Sequence, residues 1–302
     1  MKIGISTGLF SDYDLVNLLP VFKRTGFEVI EVGTGTPEWN PFPPSEQYNR
    51  ENMQGLLDKL QTFRLKIHSL HLREKLKENG IEVNSLHTSF GNGFDISSFD
   101  ENIRTTGVGE IKKNIEVLAF LYGKIAIVHP GGHLFNANDG EERKRRIERS
   151  SLSLKEIVQY AEEKGVKVAV ENLLPHLVCG YAQEVLDLIN QVNSPTVGIC
   201  FDSSHANLAE NPAEVLKKFG QRLITLHMSD NFGKFDDHLI PGKGKINFLE
   251  LAKILKDISY QGVFTMEVLG DLKGQDPYKV LRAMYTSAQE ILGSLAEIGE
   301  NK

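Results

Sequence analysis

The chain has 302 residues, 40% hydrophobic and 25% charged, the balance of a soluble globular protein long enough to bury a sizeable core. Its net charge of −6 argues against a nucleic-acid scaffold, in which a basic face dominates. Two cysteines, Cys179 and Cys200, make no disulfide framework and fit a cytoplasmic location, while no signal peptide, lipidation site or membrane-length apolar span is read.

In chain order, eight apolar runs read as strands: 3–7, 27–32, 81–86, 125–129, 166–171, 197–202, 223–228 and 263–268. The first two are followed by a loop, 36–45, that carries the only tryptophan, Trp39, among Pro37, Pro41, Pro43 and Pro44. Lying past a strand end, that loop provides either an apolar wall for a ligand or a stiff cover for the rim. Helical period appears between strands: Leu56, Leu60, Phe63, Ile67 and Leu70 share one face, as do Ile111, Ile115, Leu118 and Tyr122. Helix-to-strand joints carry Gly26, Gly80, Gly123, Gly165, Gly220 and Gly262, placed as C-caps of positive φ. Strands alternating with helices imply right-handed βαβ units and a parallel sheet. Eight units close most simply into a (β/α)8 TIM barrel of the α/β class, one domain over 1–302. The alternative, a doubly wound open sheet, lacks a Gly-x-Gly-x-x-Gly after the first strand.

The strand ends carry the chemistry. The third strand runs into His87, the fourth ends at His129, the fifth at Glu171 and the sixth at Asp202; the seventh holds His227 and the eighth Glu267. In a barrel all carboxyl ends open on one face, where active sites sit. Asp202 and His205 form a D-x-x-H turn, and Asp236 with His238 comes from the loop after the seventh strand. Two like charges at about 4 Å repel by about 4 kcal/mol at an effective dielectric of 20. Three such pairs would exceed the whole stability of a domain, about 5–15 kcal/mol, unless the acids are protonated, spread apart or bridged by a cation. Interleaved imidazoles favour the cation, and the ligand mix suits Zn, Mn, Fe or Co better than Ca.

With VHPGGH at 128–133, VEN at 170–172, CFDSSH at 200–205, LHMSD at 226–230, DDHLIPGKG at 236–244 and MEV at 266–268, nearly the whole chain resembles the xylose isomerase-like TIM-barrel superfamily. That group holds sugar 3-epimerases and isomerases beside the endonuclease IV type of DNA-repair enzyme. The epimerase resemblance implies one divalent ion, Mn or Zn first and Mg, Co or Fe next, on Glu171, Asp202, His227 and Glu267. The repair resemblance implies three zinc ions on a wider set that adds His87, His129, His205, Asp236 and His238. On the epimerase side, Glu171 and Glu267 move a proton next to a carbonyl through a cis-enediolate, His205 joins them and binds substrate, and His87, His129 and Trp39 line the substrate site. The sequence departs from both patterns. Gly233 stands where ketose 3-epimerases have a substrate-binding Arg, and Phe90–Gly91 where endonuclease IV has a Tyr-Leu wedge.

The opening MKIGISTGLF and the acidic balance favour a sugar or sugar-phosphate isomerase or epimerase. The alternatives are an endonuclease IV-like zinc phosphodiesterase at abasic sites, or a barrel that acts as a lyase or only binds a ligand. The expected partner is a small carbohydrate, with nucleic acid only under the repair alternative, no membrane, and a homo-oligomer implied by the resemblance. Four further features read as structural. Glu31 is expected in a surface salt bridge rather than on substrate. His68 and His71 are expected in solvent, and the run Arg143, Lys144, Arg145, Arg146 on a solvated helix face. Gly242-Lys243-Gly244 is expected to turn the chain into a helix at Asn247 rather than to cradle phosphate.

Overall fold

Short Val- and Ile-rich runs flanked by turn residues give the strands, and amphipathic segments between them give the helices. The computed structural model describes residues 1–10, 13–33, 69–269 and 275–300. Its strands are β1 (Ile3–Ser6), β2 (Val29–Gly33), β3 (Glu82–His87), β4 (Ile125–Val128), β5 (Lys167–Glu171), β6 (Val197–Asp202), β7 (Leu223–His227) and β8 (Phe264–Met266). They form one parallel eight-stranded sheet in the order β7-β6-β5-β4-β3-β2-β1-β8. The two ends of that order meet through a parallel bridge between Met228 and Met266, where the Met228 N–H donates to the Thr265 carbonyl at 2.8 Å. The result is the expected (β/α)8 barrel.

Around it stand α1 (Leu15–Thr25), α2 (69–79), α3 (Glu101–Phe120), α4 (Gly140–Glu163), α5 (Ala182–Val192), α6 (Ser203–Ala209), α7 (Pro212–Phe219), α8 (Phe248–Asp257) and α9 (Pro277–Glu300). In α1, Leu15, Leu18, Leu19 and Phe22 form the buried stripe, and Asp14 caps the start by accepting the Val16 N–H at 2.9 Å. Ile111, Ile115 and Leu118 of α3 are buried as the period requires. Tyr122, expected on the same face, lies past the helix end at φ 62° and is 67% exposed. Of the other expected face, Leu56, Leu60, Phe63 and Ile67 lie outside the described residues, and Leu70 is exposed.

The glycine joints divide into two kinds. Gly26, Gly80, Gly165 and Gly220 do have positive φ. Gly123 and Gly262 do not; there the left-handed residues are Tyr122 and Ser259. Those two glycines answer to packing instead: a Cβ would fall 2.0 Å from Leu118 at position 123 and 2.2 Å from the Tyr260 hydroxyl at 262.

Strand alternation sorts the core. Val128, Val170, Phe201 and Leu226 face the helices in the main apolar cluster, while Ile127, Ala169 and Cys200 form a small inner cluster. Two residues further along the inward rows of β5 and β6 stand Glu171 and Asp202. Among the described residues no helix is long and apolar enough to cross a membrane.

Candidate metal centre

Because the strands are parallel, their inward final residues meet at the carboxyl end of the barrel. There His227 Nδ1 lies 3.1 Å from Glu171 Oε1, 3.1 Å from Glu267 Oε2 and 3.9 Å from Asp202 Oδ2. Ligand atoms of Glu171, Asp202, His227 and Glu267 all fall within 4.8 Å of one another, and all four residues are buried. Among the described residues, Glu171 Oε2, Asp202 Oδ2 and Glu267 Oε2 are buried without a hydrogen-bond partner. Two imidazole nitrogens, His129 Nε2 at 3.2 Å and His87 Nε2 at 3.3 Å, approach Glu171 Oε2, but neither is aligned to donate to it. Orphaned carboxylate oxygens grouped about an imidazole nitrogen fit a divalent cation, and the mixed N and O donors suit a transition metal.

Burial shapes the charges. Desolvation pushes the Asp202 carboxyl up to about 7 against the pull of His205 and His238. Burial lowers His205, but Asp202 and Asp236 more than offset it and raise the imidazole to about 10. His238 rises to about 9, burial being outweighed by Asp236 and Asp202.

A second constellation sits beside the first. His205 Nε2 lies 3.3 Å from Asp236 Oδ2, and His238 Nε2 lies 3.1 Å from Asp236 Oδ1. Asp236 therefore bridges two imidazoles, and His238 is buried. Each ring is aimed by a backbone carbonyl: His205 Nδ1–H donates to Asn172 at 2.9 Å and His238 Nδ1–H to Glu267 at 3.1 Å. Asp202, His205 and His238 make one compact group of possible ligands, and His87, Glu171 and His227 another. All nine expected site residues of the wider set thus gather at one mouth, while Trp39 lies outside the described residues.

Asn172 organises this corner. Its amide donates to the Asp202 carbonyl and accepts the Asp202 N–H, both at 2.9 Å, which locks β5 to β6 where their acids project. Asp202 Oδ1 also accepts the His205 N–H at 2.7 Å, capping α6. The loop after β7 is folded round buried Asp230, whose carboxylate accepts the N–H groups of Asn231, Gly242, Gly244 and Ile246. Those amides are spent inside the protein, so the Gly242-Lys243-Gly244 turn leads to α8 as expected.

Two sequence expectations are corrected. Glu31 is not at the surface: it is fully buried, takes the Nε2–H of His227 at 3.0 and 3.1 Å, and accepts the Ser85 hydroxyl at 2.8 Å. Of the α4 run, Lys144 and Arg145 are exposed as expected, but Arg143 pairs with Glu184 at 2.9 Å and Arg146 with Asp95 at 2.8 Å, both of these arginines buried. Asp95 also receives the Gly132 N–H at 3.0 Å, so this pair anchors the VHPGGH loop. His71 is exposed as expected, and His68 lies outside the described residues.

Above the ligands is a cavity of about 350 Å³ whose wall combines His87, His129, His205 and Asp236 with Phe90, Leu173 and Leu177. Phe90 lies against His129 with ring centroids 4.2 Å apart and the rings tilted by 31°. A small polar molecule with one apolar edge fits such a lining.

Comparison with known proteins places this geometry. Residues 20–287 match the family described as xylose isomerase-like TIM barrel. An uncharacterised protein of Methanocaldococcus jannaschii is 35% identical over 276 residues, 88% of this chain and 83% of that protein. The D-psicose 3-epimerase of Enterocloster bolteae is 32% identical over 136 residues, 44% of this chain and 43% of the enzyme. Among solved structures, a D-tagatose 3-epimerase-like protein superposes with a TM-score of 0.78 at 25% identity, over 100% of this chain and 99% of that one.

Proposed function

Because the chain belongs to the xylose isomerase-like TIM-barrel family, we propose that it is a divalent-metal-dependent isomerase or epimerase of a sugar or sugar phosphate. The observation that carries this is the convergence of Glu171, Asp202, His227 and Glu267, with three buried carboxylate oxygens left without donors. Mn or Zn is the ion we assign, held by those four residues. The chemistry such an ion supplies when bound is Lewis-acid polarisation of a ketone and its neighbouring hydroxyl, acidifying the carbon between them.

The protein's own groups do the rest. Glu171 and Glu267 reach the same point from β5 and from the end of β8, each with an oxygen 3.1 Å from His227 Nδ1. Separate strands let one carboxylate remove a proton and the other return it on the far side of the substrate. His205, fixed at Nδ1 by the Asn172 carbonyl and at Nε2 by Asp236, lines the cavity and would bind substrate there. His87 and His129 close the side of the cavity beneath Phe90. Apolar lining next to this centre excludes water that would otherwise quench the carbanion.

The test is a ketose panel in D2O with chelated and metal-reloaded protein. Deuterium should enter the carbon next to the carbonyl only after reloading. Glu267→Gln should retain most of its metal and lose about 10²–10⁴-fold in wash-in. Wash-in at the wild-type rate in that variant would contradict the assignment.

One observation favours a second reading. Two further ligand groups, His87–Glu171–His227 and Asp202–His205–His238, flank the first. Three zinc ions in those places would give a phosphodiesterase acting on abasic DNA, detected by nicking of an abasic duplex. The first reading is preferred because the outer imidazoles of His205 and His238 already pair with Asp236, whereas the central carboxylate oxygens have no partner among the described residues.

A further inference from the structure

We infer that Glu31 is the positioning residue of this centre, holding His227 so that Nδ1 alone faces the other three ligands. The inference rests on the metal reading above and goes beyond it, since Glu31 itself reaches no ion.

The geometry has three parts. Both Glu31 oxygens lie within 3.1 Å of His227 Nε2, so a hydrogen placed there is shared between them, and in the neutral ring that a metal would bind the lone pair is on Nδ1. That nitrogen is the one directed at Glu171, Asp202 and Glu267. The contact joins β2 to β7, which are not neighbours in the sheet, so no backbone ladder imposes it. Within the β2–β3 ladder the register slips between Ile30 and Glu31, which brings Glu31 opposite Ser85. The Ser85 hydroxyl then donates to Oε2 at 2.8 Å and holds the carboxylate in place.

A fully buried carboxylate with, among the described residues, only a hydroxyl and an imidazole as donors is a costly choice for a barrel interior, where an apolar residue of equal size packs without that penalty. Its placement is explained if the imidazole must keep one orientation and one tautomer. Outer partners of metal-binding histidines do this, and their loss weakens metal binding by about 10–100-fold.

The experiment compares wild type, Glu31→Leu, Glu31→Gln and Ser85→Ala as full chains, stripped with chelator and titrated with Co²⁺. Affinity is read by chelator competition, and ligand geometry by the visible d–d absorption. Glu31→Leu should lose about 10–100-fold in Co²⁺ affinity and show an altered spectrum. Glu31→Gln keeps an acceptor oxygen and should recover most of the affinity. Ser85→Ala should lose a few-fold at most, with a smaller spectral change. A purely structural role would lower the melting temperature of the stripped protein while leaving the cobalt spectrum unchanged. Wild-type affinity and an unchanged spectrum in folded Glu31→Leu overturn the inference. Should that variant fail to fold, Ser85→Ala decides: wild-type affinity with an unchanged spectrum overturns it, and a reproducible loss supports it. A wild-type chain that takes up no Co²⁺ overturns this inference and the metal reading together, an outcome visible before any variant is made.

Discussion

His227 is held on both sides of its ring, by Glu31 at Nε2 and by Glu171 and Glu267 at Nδ1, and the other side chains of the site are placed with the same redundancy. Asp202 faces the ligand cluster with one oxygen and caps α6 with the other. Asp202→Ala should therefore retain no tightly bound divalent ion after dialysis and also loosen His205; elemental analysis and the His205 NMR resonances check the two effects separately. The ligands themselves were legible because acids and imidazoles recur at the ends of apolar runs, a pattern set by strand period and chain order alone. Glu31 was not. One acid between Ile30 and Val32 looks the same in sequence whether it meets water or a histidine 196 positions away. Its one local signal is a charge inside a run that is otherwise continuously apolar. Arg143 and Arg146 were misplaced for the same reason, their partners Glu184 and Asp95 lying 41 and 51 residues off.

At the scale of elements, the segment after β7 depends on Asp230 more than on any apolar contact, four backbone N–H groups ending on one buried carboxylate. Asp230→Ala leaves those donors unpaired and should destabilise the fold by about 3 kcal/mol, measured by urea unfolding. Gly244→Ala attacks the same knot from the other side, since a Cβ there would lie 2.4 Å from the Asn231 carbonyl and from Asp230 Oδ1. Both variants should also lose wash-in activity, because Asp236 and His238 ride on this segment. The strands and most helices were readable from period and punctuation. What escaped was the purpose of individual glycines: Gly123 and Gly262 mark close packing rather than left-handed backbone, and composition alone does not separate the two uses.

For the whole molecule, eight parallel strands bring residues as far apart as Glu31 and Glu267 to one mouth, and three of the carboxylate oxygens gathered there have no hydrogen-bond partner among the described residues. A bound ion should then stabilise the entire fold by mass action, about 2.7 kcal/mol at a hundredfold excess over Kd. Chelation should lower the melting temperature of wild type and leave Asp202→Ala unmoved. Overall architecture was the most legible level, since eight repeats of strand, helix and joint tolerate errors of a residue or two at each end; β8, expected over 263–268, is only Phe264–Met266, and the barrel still closes. The most direct measurement is elemental analysis of the chain purified without chelators. About one tightly held divalent ion per chain is expected, and three zinc ions per chain, or none, would contradict a sugar isomerase built on Glu171, Asp202, His227 and Glu267.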